Sequence, residues 1–239
     1  MIQFYAPEIA DTLRLPESDS AHAVRVLRMH EGDMMQVIDG RGNVYQCRLT
    51  EAHSKRAAIE ILSCDPQALP WSQQIVVAVA PTKHLDRMEW MVEKLTEVGV
   101  NRIIPMLCGR SERKEIKTER LEKIAVSAMK QSLKATMPVI EPMTPISSII
   151  SAYDGYTKAV AYCDDAVGRT DFTSVYRPAS DTIILIGPEG DFTPAEIESA
   201  LAAGFTAVTL GENRLRTETA ALYAVSACHI IDQINHINI

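Results

Sequence analysis

The pattern of apolar and polar positions along the chain changes near residue 70. Before that point, short runs with alternating apolar residues stand next to turn residues, which is typical of antiparallel strands. A helix is also predicted, because Ser18 or Asp19 can cap it and apolar residues then recur on one side. The predicted elements are strands at Asp33–Asp39, Asn43–Thr50 and Ala57–Leu62, a turn at Gly40-Arg41-Gly42, and a helix between Ser18 and Met29. This part of the chain resembles a small β-barrel.

After residue 70, apolar runs of strand length alternate with helical patterns. Such alternation predicts an α/β domain with a mainly parallel sheet covered by helices. Strands are expected at Gln74–Ala80, Arg102–Leu107, Ala159–Cys163, Thr182–Ile186 and Ala207–Leu210, and helices at Leu85–Val98, Thr118–Lys134, Pro194–Ala203 and Thr217–Asn235. The segment Cys64–Pro70 is a predicted linker, so the expected domains are residues 1–68 and 72–239.

Two apolar strands in the last quarter of the chain stop abruptly at glycine. The strand at Ile183–Ile186 ends at Gly187 and the strand at Ala207–Leu210 ends at Gly211. Ligands of open α/β sheets bind at the carboxyl ends of the strands. We therefore expect the two glycine loops to lie side by side and to form a ligand site.

Composition and charge narrow the range of proteins to consider. The chain has 239 residues, an apolar fraction of 46% and a net charge of −7. Its apolar runs fall short of the roughly 20 residues that span a bilayer, and its N-terminus lacks the features of a secretory signal. The five cysteines are scattered, and the histidines show no metal-ligand spacing. These features predict a cytoplasmic protein with reduced thiols, no membrane association and no metal site.

One basic segment stands against the acidic balance of the whole chain. Residues 110–134 contain eight Lys or Arg and four Glu. In the predicted helix, one face carries Arg120, Lys123, Ser127, Lys130 and Lys134. This face is either an ordinary solvated surface or a stripe that binds a phosphate backbone. The dinucleotide fingerprint, the P-loop and the GxSxG nucleophile motif are absent from the sequence.

The glycine loops carry a specific resemblance. The motifs are Gly187-Pro-Glu-Gly190, Leu210-Gly211 and Leu215-Arg216-Thr217-Glu218-Thr219-Ala220. They resemble the SPOUT class of RNA methyltransferases, and within it the branch that methylates N3 of a uridine in small-subunit (16S) ribosomal RNA. Further matches spread over the chain, namely His22, Val26-Leu27-Arg28, Gly32-Asp33, Asp39-Gly40, Lys94-Leu-Thr-Glu97-Val-Gly99-Val, Pro105, Arg110-Ser111 and Gln131-Ser132.

The chain departs from the family pattern at three places. Asp191 stands where a third small glycine is usual, and Arg214 replaces an apolar residue. Lys130 and Lys134 stand where an acid and an arginine are expected. The last two departures keep or raise positive charge, so they bear on contact geometry more than on function.

The resemblance implies a fold, a cofactor and partners. The expected fold is a C-terminal domain with a deep trefoil knot behind an N-terminal PUA-like β-barrel. The expected cofactor is S-adenosylmethionine, and the expected partners are 16S ribosomal RNA or the small ribosomal subunit and a second copy of the chain. Small residues of the last helix (Ala220, Ala221, Ala224 and Ala227) suit either a tight dimer interface or ordinary core packing.

The resemblance also implies which residues form the sites. Cofactor contacts are expected from Ile186, Gly187, Pro188, Gly190, Leu210, Gly211, Asn213, Leu215, Arg216 and Thr219. RNA contacts are expected from Arg25, Arg28, Arg110, Lys123, Lys130 and Lys134.

Methyl transfer to N3 requires an unpaired uridine that loses its N3 proton, which leaves negative charge on O2 and O4. Arg216 suits the stabilisation of that charge, although it could instead pair with Glu218 or Glu189. Either acid could accept the proton, or water could. Two alternative functions stay open: a SPOUT ribose 2′-O-methyltransferase and a non-catalytic RNA-binding ribosome assembly factor.

Overall fold

The computed structural model describes residues 3–164 and 167–237, which form two compact units. The first unit runs up to Pro70 and also includes Val126–Met137. The second unit consists of Trp71–Ala125 and the chain from Pro138 onward. The change of pattern near residue 70 therefore coincides with a unit boundary. Val126–Met137 differ from the expectation, which had them in the second domain.

The first unit is built around a four-stranded sheet with the order β1-β2-β3-β4. Its elements are β1 (Gln3–Tyr5), α1 (Ile9–Thr12), α2 (Glu17–Ala21), a π-helical turn (His22–Val26), β2 (Met34–Ile38), β3 (Asn43–Glu51) and β4 (Ala58–Pro66). The predicted hairpin is confirmed, because β2 and β3 pair antiparallel. Strand β1, which the sequence analysis missed, pairs parallel with β2. Strand β4 continues into the predicted linker.

The second unit contains one parallel sheet with helices. Its elements are β5 (Ile75–Val79), α3 (Leu85–Val98), β6 (Arg102–Leu107), the start of α4 (Thr118–Gln131), β7 (Val139–Ile140), β8 (Thr144–Pro145), α5 (Ile146–Ile150), β9 (Thr157–Ala161), β10 (Thr170–Asp171), α6 (Phe172–Val175), β11 (Thr182–Ile186), α7 (Pro194–Ala202), β12 (Thr206–Thr209) and α8 (Thr217–Ile237). The strand order is β10-β12-β9-β11-β5-β6-β7, and β8 pairs with β6. The described pairs of this sheet are all parallel. The predicted α/β class with a mainly parallel sheet is confirmed.

Local chemistry explains where several of these elements begin and end. Strands β5 and β11 are continuous apolar runs that are buried throughout, as parallel strands covered on both faces require. Helix α7 starts with a capping box, in which Thr193 and Glu196 each accept a backbone N–H, and with Pro194 in its first turn. Helix α3 ends at Gly99, where φ is +119° and a Cβ atom would lie 2.4 Å from the ring of Trp71.

Helix α4 ends at Gln131, three residues earlier than predicted. Leu133 adopts a left-handed φ of +57°. The N–H of Lys134 then donates to the carbonyl of Met129 at 3.1 Å, which is the bond that closes a Schellman motif. This ending was not recognisable from the sequence, because a leucine rather than a glycine adopts the left-handed conformation. Lys134 consequently does not continue the helical face of Lys123 and Lys130.

Short elements account for most of the remaining differences between the predicted and the observed secondary structure. Elements α1, α5, α6, β7, β8 and β10 are two to five residues long, which is too short to show a periodic pattern. Strand β9 ends at Ala161 rather than at Cys163. The knot that the resemblance implies stays a prediction.

Candidate functional site

A cavity of about 760 Å³ lies at the carboxyl ends of β9, β11 and β12 in the second unit. Its size is within the range of small-molecule and cofactor sites, which is about 300–1,000 Å³. The sequence pattern predicts that the loops after β11 and β12 are adjacent. That expectation was wrong in one respect, because β9 lies between the two strands. The loop that follows β9 therefore forms a third wall.

Most of the residues predicted to bind cofactor line this cavity. They are Ile186, Gly187, Pro188, Leu210, Gly211, Asn213, Leu215 and Arg216, and the proposed acids Glu189 and Glu218 line it as well. Gly190 and Thr219 do not belong to the lining. The lining residues that the sequence analysis missed include Arg87 on α3, Tyr162, Cys163 and Asp164 after β9, and Arg169. No local motif distinguishes these residues, because they come from elements distant in sequence.

Gly187 and Gly211, the glycines that follow β11 and β12, have different structural roles. Gly211 has a φ of +99°, and a Cβ atom built on it would meet nothing within 4 Å. Its backbone therefore borders open space at the cavity wall. At Gly187 a Cβ atom would lie 2.9 Å from the ring of Phe192. Gly187 is thus required by packing within its own loop, whereas Gly211 leaves room at the cavity.

The loop from Gly187 to Phe192 is held in place from two sides. The guanidinium of Arg110 donates to the carbonyl of Gly190 at 2.9 Å and to that of Phe192 at 3.1 Å. The hydroxyl of Thr217, at the start of α8, donates to the carbonyl of Gly187 at 3.1 Å. Arg110, predicted to contact RNA, is therefore engaged in shaping this loop.

The two candidate acids occupy different environments. Glu189 is exposed, and its Oε1 accepts the backbone N–H of Lys83 at 3.4 Å. Glu218 is 6% exposed, and its Oε1 lies 3.9 Å from Nε of Arg87. Glu218 Oε2 is buried and has no hydrogen-bond partner among the described residues. The cation paired with Glu218 is Arg87, not Arg216, which is exposed at the cavity.

The residues predicted to bind RNA are distributed over both units. In the first unit Arg25 and Arg28 are exposed, and Arg25 donates to Ser54 Oγ at 3.1 Å. Lys130 in the same unit is half-buried, with Nζ 2.6 Å from the carboxylate of buried Asp19 and 6.0 Å from the ring centre of Phe4. Lys130 therefore fastens the end of α4 within its own unit. In the second unit Lys123 is exposed.

Comparison with known proteins identifies the family. The RNA methyltransferase domain matches residues 69–229, and the RNA methyltransferase PUA domain matches residues 15–62. The chain belongs to the RNA methyltransferase family. The first unit of this RNA methyltransferase contains the whole of the matched PUA segment, which confirms the PUA-like prediction.

Individual relatives extend this result over nearly the whole chain. A crystal structure of a "probable rRNA-methyltransferase" from Porphyromonas gingivalis is 45% identical, with a TM-score of 0.95, and the alignment covers 98% of this chain and 100% of that one. Ribosomal RNA small subunit methyltransferase E from Neisseria gonorrhoeae, bound to S-adenosyl methionine, is 31% identical, with a TM-score of 0.83 and coverage of 97% and 98%.

The enzyme of the same name from Bacillus subtilis is 27% identical over 92% of this chain and 90% of its own length. The resemblance drawn from the sequence motifs is confirmed. Among the described residues of this RNA methyltransferase, no helix is long and apolar enough to cross a membrane.

Proposed function

We propose that this chain uses S-adenosylmethionine to methylate N3 of a uridine in 16S ribosomal RNA. The observation that carries the proposal is the cavity at the carboxyl ends of β9, β11 and β12, where Arg216 and Glu218 stand together with the two glycine loops. Relatives named ribosomal RNA small subunit methyltransferase E support the substrate. The complex of the Neisseria relative with S-adenosyl methionine supports the cofactor.

The cavity residues fit this cofactor. The open space beside Gly211 admits a ligand close to the backbone. Ile186, Pro188, Leu210 and Leu215 supply apolar walls, and the backbone groups of Leu210, Gly211 and Leu215 are available to hold the adenine. When bound, the cofactor supplies an electrophilic methyl group.

The protein must position the uridine and stabilise it as its N3 proton leaves. The charge that develops spreads over O2 and O4 of the ring. Arg216 is exposed at the cavity wall, immediately before α8, and has no ion-pair partner among the described residues. Its planar guanidinium can donate to two acceptors at once. Arg216 therefore stabilises the negative charge on the uracil oxygens. Arg87, and not Arg216, is the ion-pair partner of Glu218.

RNA is held by basic residues outside the cavity. Arg25 and Arg28 serve this purpose in the first unit, and Lys123 serves it in the second, because all three are exposed. Lys134 lies beyond the end of α4 and is half-buried. Lys130 does not serve as a phosphate ligand, since its ammonium group is paired with Asp19.

A second copy of the chain binds to helix α8. Ala220, Ala221 and Ala224 are buried inside the protomer, so they belong to its core and not to an interface. Within the described residues, the outer face of the helix instead exposes large apolar side chains at Tyr223, Ile230 and Ile234. Their spacing of seven and four residues puts them on one side of α8. Ile230→Asp should shift the molecular mass in light scattering from dimer to monomer, whereas Leu201→Asp, at an exposed site on α7, should not.

The function is tested on ribosomes from a strain that lacks the gene. Purified protein, S-adenosylmethionine and small subunits from that strain are incubated, and the ribosomal RNA is digested to nucleosides for mass spectrometry. We expect 3-methyluridine to appear only in the complete reaction. A 2′-O-methylated nucleoside would identify the ribose enzyme, and RNA binding without methylation would identify the assembly factor. In the cell the reaction belongs to the cytoplasm, where ribosomes are assembled.

A further inference from the structure

Glu218 lines the cavity and has one carboxylate oxygen without a hydrogen-bond donor among the described residues. It is the second residue of α8, and only 6% of its surface is exposed. Its Oε1 faces Arg87 at 3.9 Å, which is within ion-pair distance but beyond the range of a hydrogen bond. Its Oε2 is buried without a hydrogen-bond partner among the described residues. A buried carboxylate oxygen without a donor raises the free energy of the folded protein, because it has lost its hydrogen bonds to water and has not gained others.

Two other acids in the same unit show how a structural carboxylate is partnered. Asp232 is buried to a similar degree, and its carboxylate accepts the hydroxyl of Tyr176 at 2.8 Å and the N–H of Ala179 at 2.9 Å. Glu196 accepts the N–H of Gly109 at 2.7 Å and that of Thr193 at 2.8 Å. Glu89 Oε1 also has no hydrogen-bond partner in the described part of the chain, but it is paired with Arg120 and lies outside the cavity lining. Among these four acids, Glu218 is the one that lines the cavity.

The alternative acid at the cavity is less suitable. Glu189 is exposed, so water can satisfy its carboxylate, and one of its oxygens accepts the backbone N–H of Lys83. A general base must be positioned within reach of the proton that it accepts. Glu218 is buried, and the guanidinium of Arg87 lies 3.9 Å from one of its oxygens.

We propose that Glu218 accepts the N3 proton of the uridine and that Arg87, through its ion pair, is the positioning residue that orients the Glu218 carboxylate. This inference rests on the proposed function. In the step, the N3–H bond breaks and an O–H bond forms at Glu218. The electron pair stays on the uracil ring and is available for the bond between N3 and the methyl group. In that transfer the S–CH3 bond of the sulfonium would break, its electron pair would stay on sulfur, and S-adenosylhomocysteine would be the leaving group. The proton leaves Glu218 for water after the product departs.

The first experiment compares two isosteric variants in single-turnover methylation of small subunits from the deletion strain. Glu218→Gln should lower the rate by about 10²–10⁴-fold, the range for loss of a general base. Glu189→Gln, at the other acid of the cavity, should lower the rate far less than Glu218→Gln. Glu218→Asp keeps a carboxylate and should restore part of the loss. The reverse ranking of the two glutamine variants would overturn the assignment.

A substrate with a more acidic N3–H group tests the proton transfer separately from the methyl transfer. Small subunits are reconstituted from ribosomal RNA transcribed with 5-fluorouridine triphosphate, because fluorine withdraws electrons and makes N3–H more acidic. The Glu218→Gln variant should recover a large part of its rate on this RNA, whereas Arg216→Ala should recover little. An equal response of both variants would show that Glu218 is not the proton acceptor.

Two measurements without turnover separate this role from a structural one. Calorimetry with S-adenosylmethionine should give similar affinities for the wild type and for Glu218→Gln. The melting temperature of Glu218→Gln should equal or exceed that of the wild type, since a poorly partnered buried charge is removed. A clear fall in melting temperature together with lost cofactor binding would make Glu218 a structural residue.

Arg87 is tested through its dependence on Glu218. Arg87→Gln should lower kcat with little change in the KM for S-adenosylmethionine, and Arg87→Lys should restore part of it. Because Arg87 acts through Glu218, the double variant should be no slower than Glu218→Gln alone. Arg177→Gln removes a charge from an exposed loop outside the cavity lining and serves as the control. Additive losses of rate in the Arg87→Gln and Glu218→Gln double variant would overturn the positioning role. If the wild-type protein formed a product other than 3-methyluridine, the proposed function itself would be refuted.

Discussion

The carboxylate of Asp191 accepts a hydrogen bond from the backbone N–H of Cys163 at 3.0 Å. Its other oxygen accepts the N–H of Phe192 at 2.8 Å. The bond to Cys163 joins the loop after β11 to the loop after β9, and both loops line the cavity. Asp191 adopts a φ of +60°, which glycine reaches freely and other residues reach at a cost. The resemblance led us to expect a glycine here, and the two hydrogen bonds offset the cost of the aspartate.

Removing the Asp191 carboxylate should loosen the cavity. Asp191→Ala loses both hydrogen bonds and keeps a side chain in the left-handed region, at a cost of roughly 1–2 kcal/mol. We expect a lower melting temperature and weaker binding of S-adenosylmethionine in calorimetry. Asp191→Gly relieves the backbone and should recover stability but not affinity, and Asp191→Asn should be intermediate. Full affinity in the glycine variant would show that the bond to Cys163 does not shape the site.

Gly211 should be essential for cofactor binding but not for folding. Valine at this position would project into the open space beside the loop and strain a backbone with φ of +99°. We expect Gly211→Val to abolish binding of S-adenosylmethionine. Gly204 is a matched control, because its φ is +87°, a Cβ atom would also meet nothing within 4 Å, and it lies outside the cavity lining. Equal affinities of the Gly204→Val and Gly211→Val proteins would put the pocket elsewhere.

Arg216 should matter for turnover more than for binding. The charge that it stabilises develops mainly in the transition state. Arg216→Ala should therefore reduce single-turnover methylation by roughly 10²–10³-fold, the range for one preorganised donor. Arg216→Lys should recover part of the rate, because lysine lacks the planar fork. Near-normal rates of Arg216→Ala on bound RNA would eliminate this role.

The two lysines of α4 should behave differently. Lys123→Ala should weaken RNA binding and reduce the salt slope of the affinity by about one unit. Lys130→Ala should mainly lower the melting temperature, because it leaves buried Asp19 without the ammonium group at 2.6 Å. Filter binding at several salt concentrations and thermal unfolding distinguish these outcomes. If both variants show the same salt slope as the wild type, the helix does not contact phosphate.

Thiol labelling offers a direct view of the cavity. Cys163 and Cys64 are exposed, whereas burial raises the pKa of the Cys47 and Cys108 thiols to about 12 and suppresses their reactivity. Cys163 lines the cavity, and burial together with Asp191 raises the pKa of its thiol. Its alkylation by iodoacetamide should therefore accelerate with rising pH. S-adenosylhomocysteine should slow labelling of Cys163 and leave that of Cys64 unchanged, as peptide mass spectrometry can measure. Unprotected Cys163 would argue against a ligand at this wall.

The sequence by itself determined the elements that have a clear hydrophobic periodicity or end at a clear turn residue. Helix α3 and strands β6 and β11 have the predicted bounds. Gly187 and Gly211 marked the ends of β11 and β12 because strands stop where the pattern meets a turn residue. The chemistry of the loops was also readable, since Arg216 and Glu218 are adjacent to these stops and line the cavity.

Only the tertiary structure decided which distant residues meet. Strand β9 lies between β11 and β12, and nothing in its periodicity indicates this. The order of strands in a sheet depends on how the helices and strands of the unit pack together, and not on the local pattern of one strand. Arg87 reaches Glu218 from α3, and Lys130 is neutralised by Asp19, across 131 and 111 positions of sequence respectively. Side-chain periodicity reports the face on which a residue lies. The partner across that face is chosen by the packing of the whole unit, which brings together charges that no local motif connects.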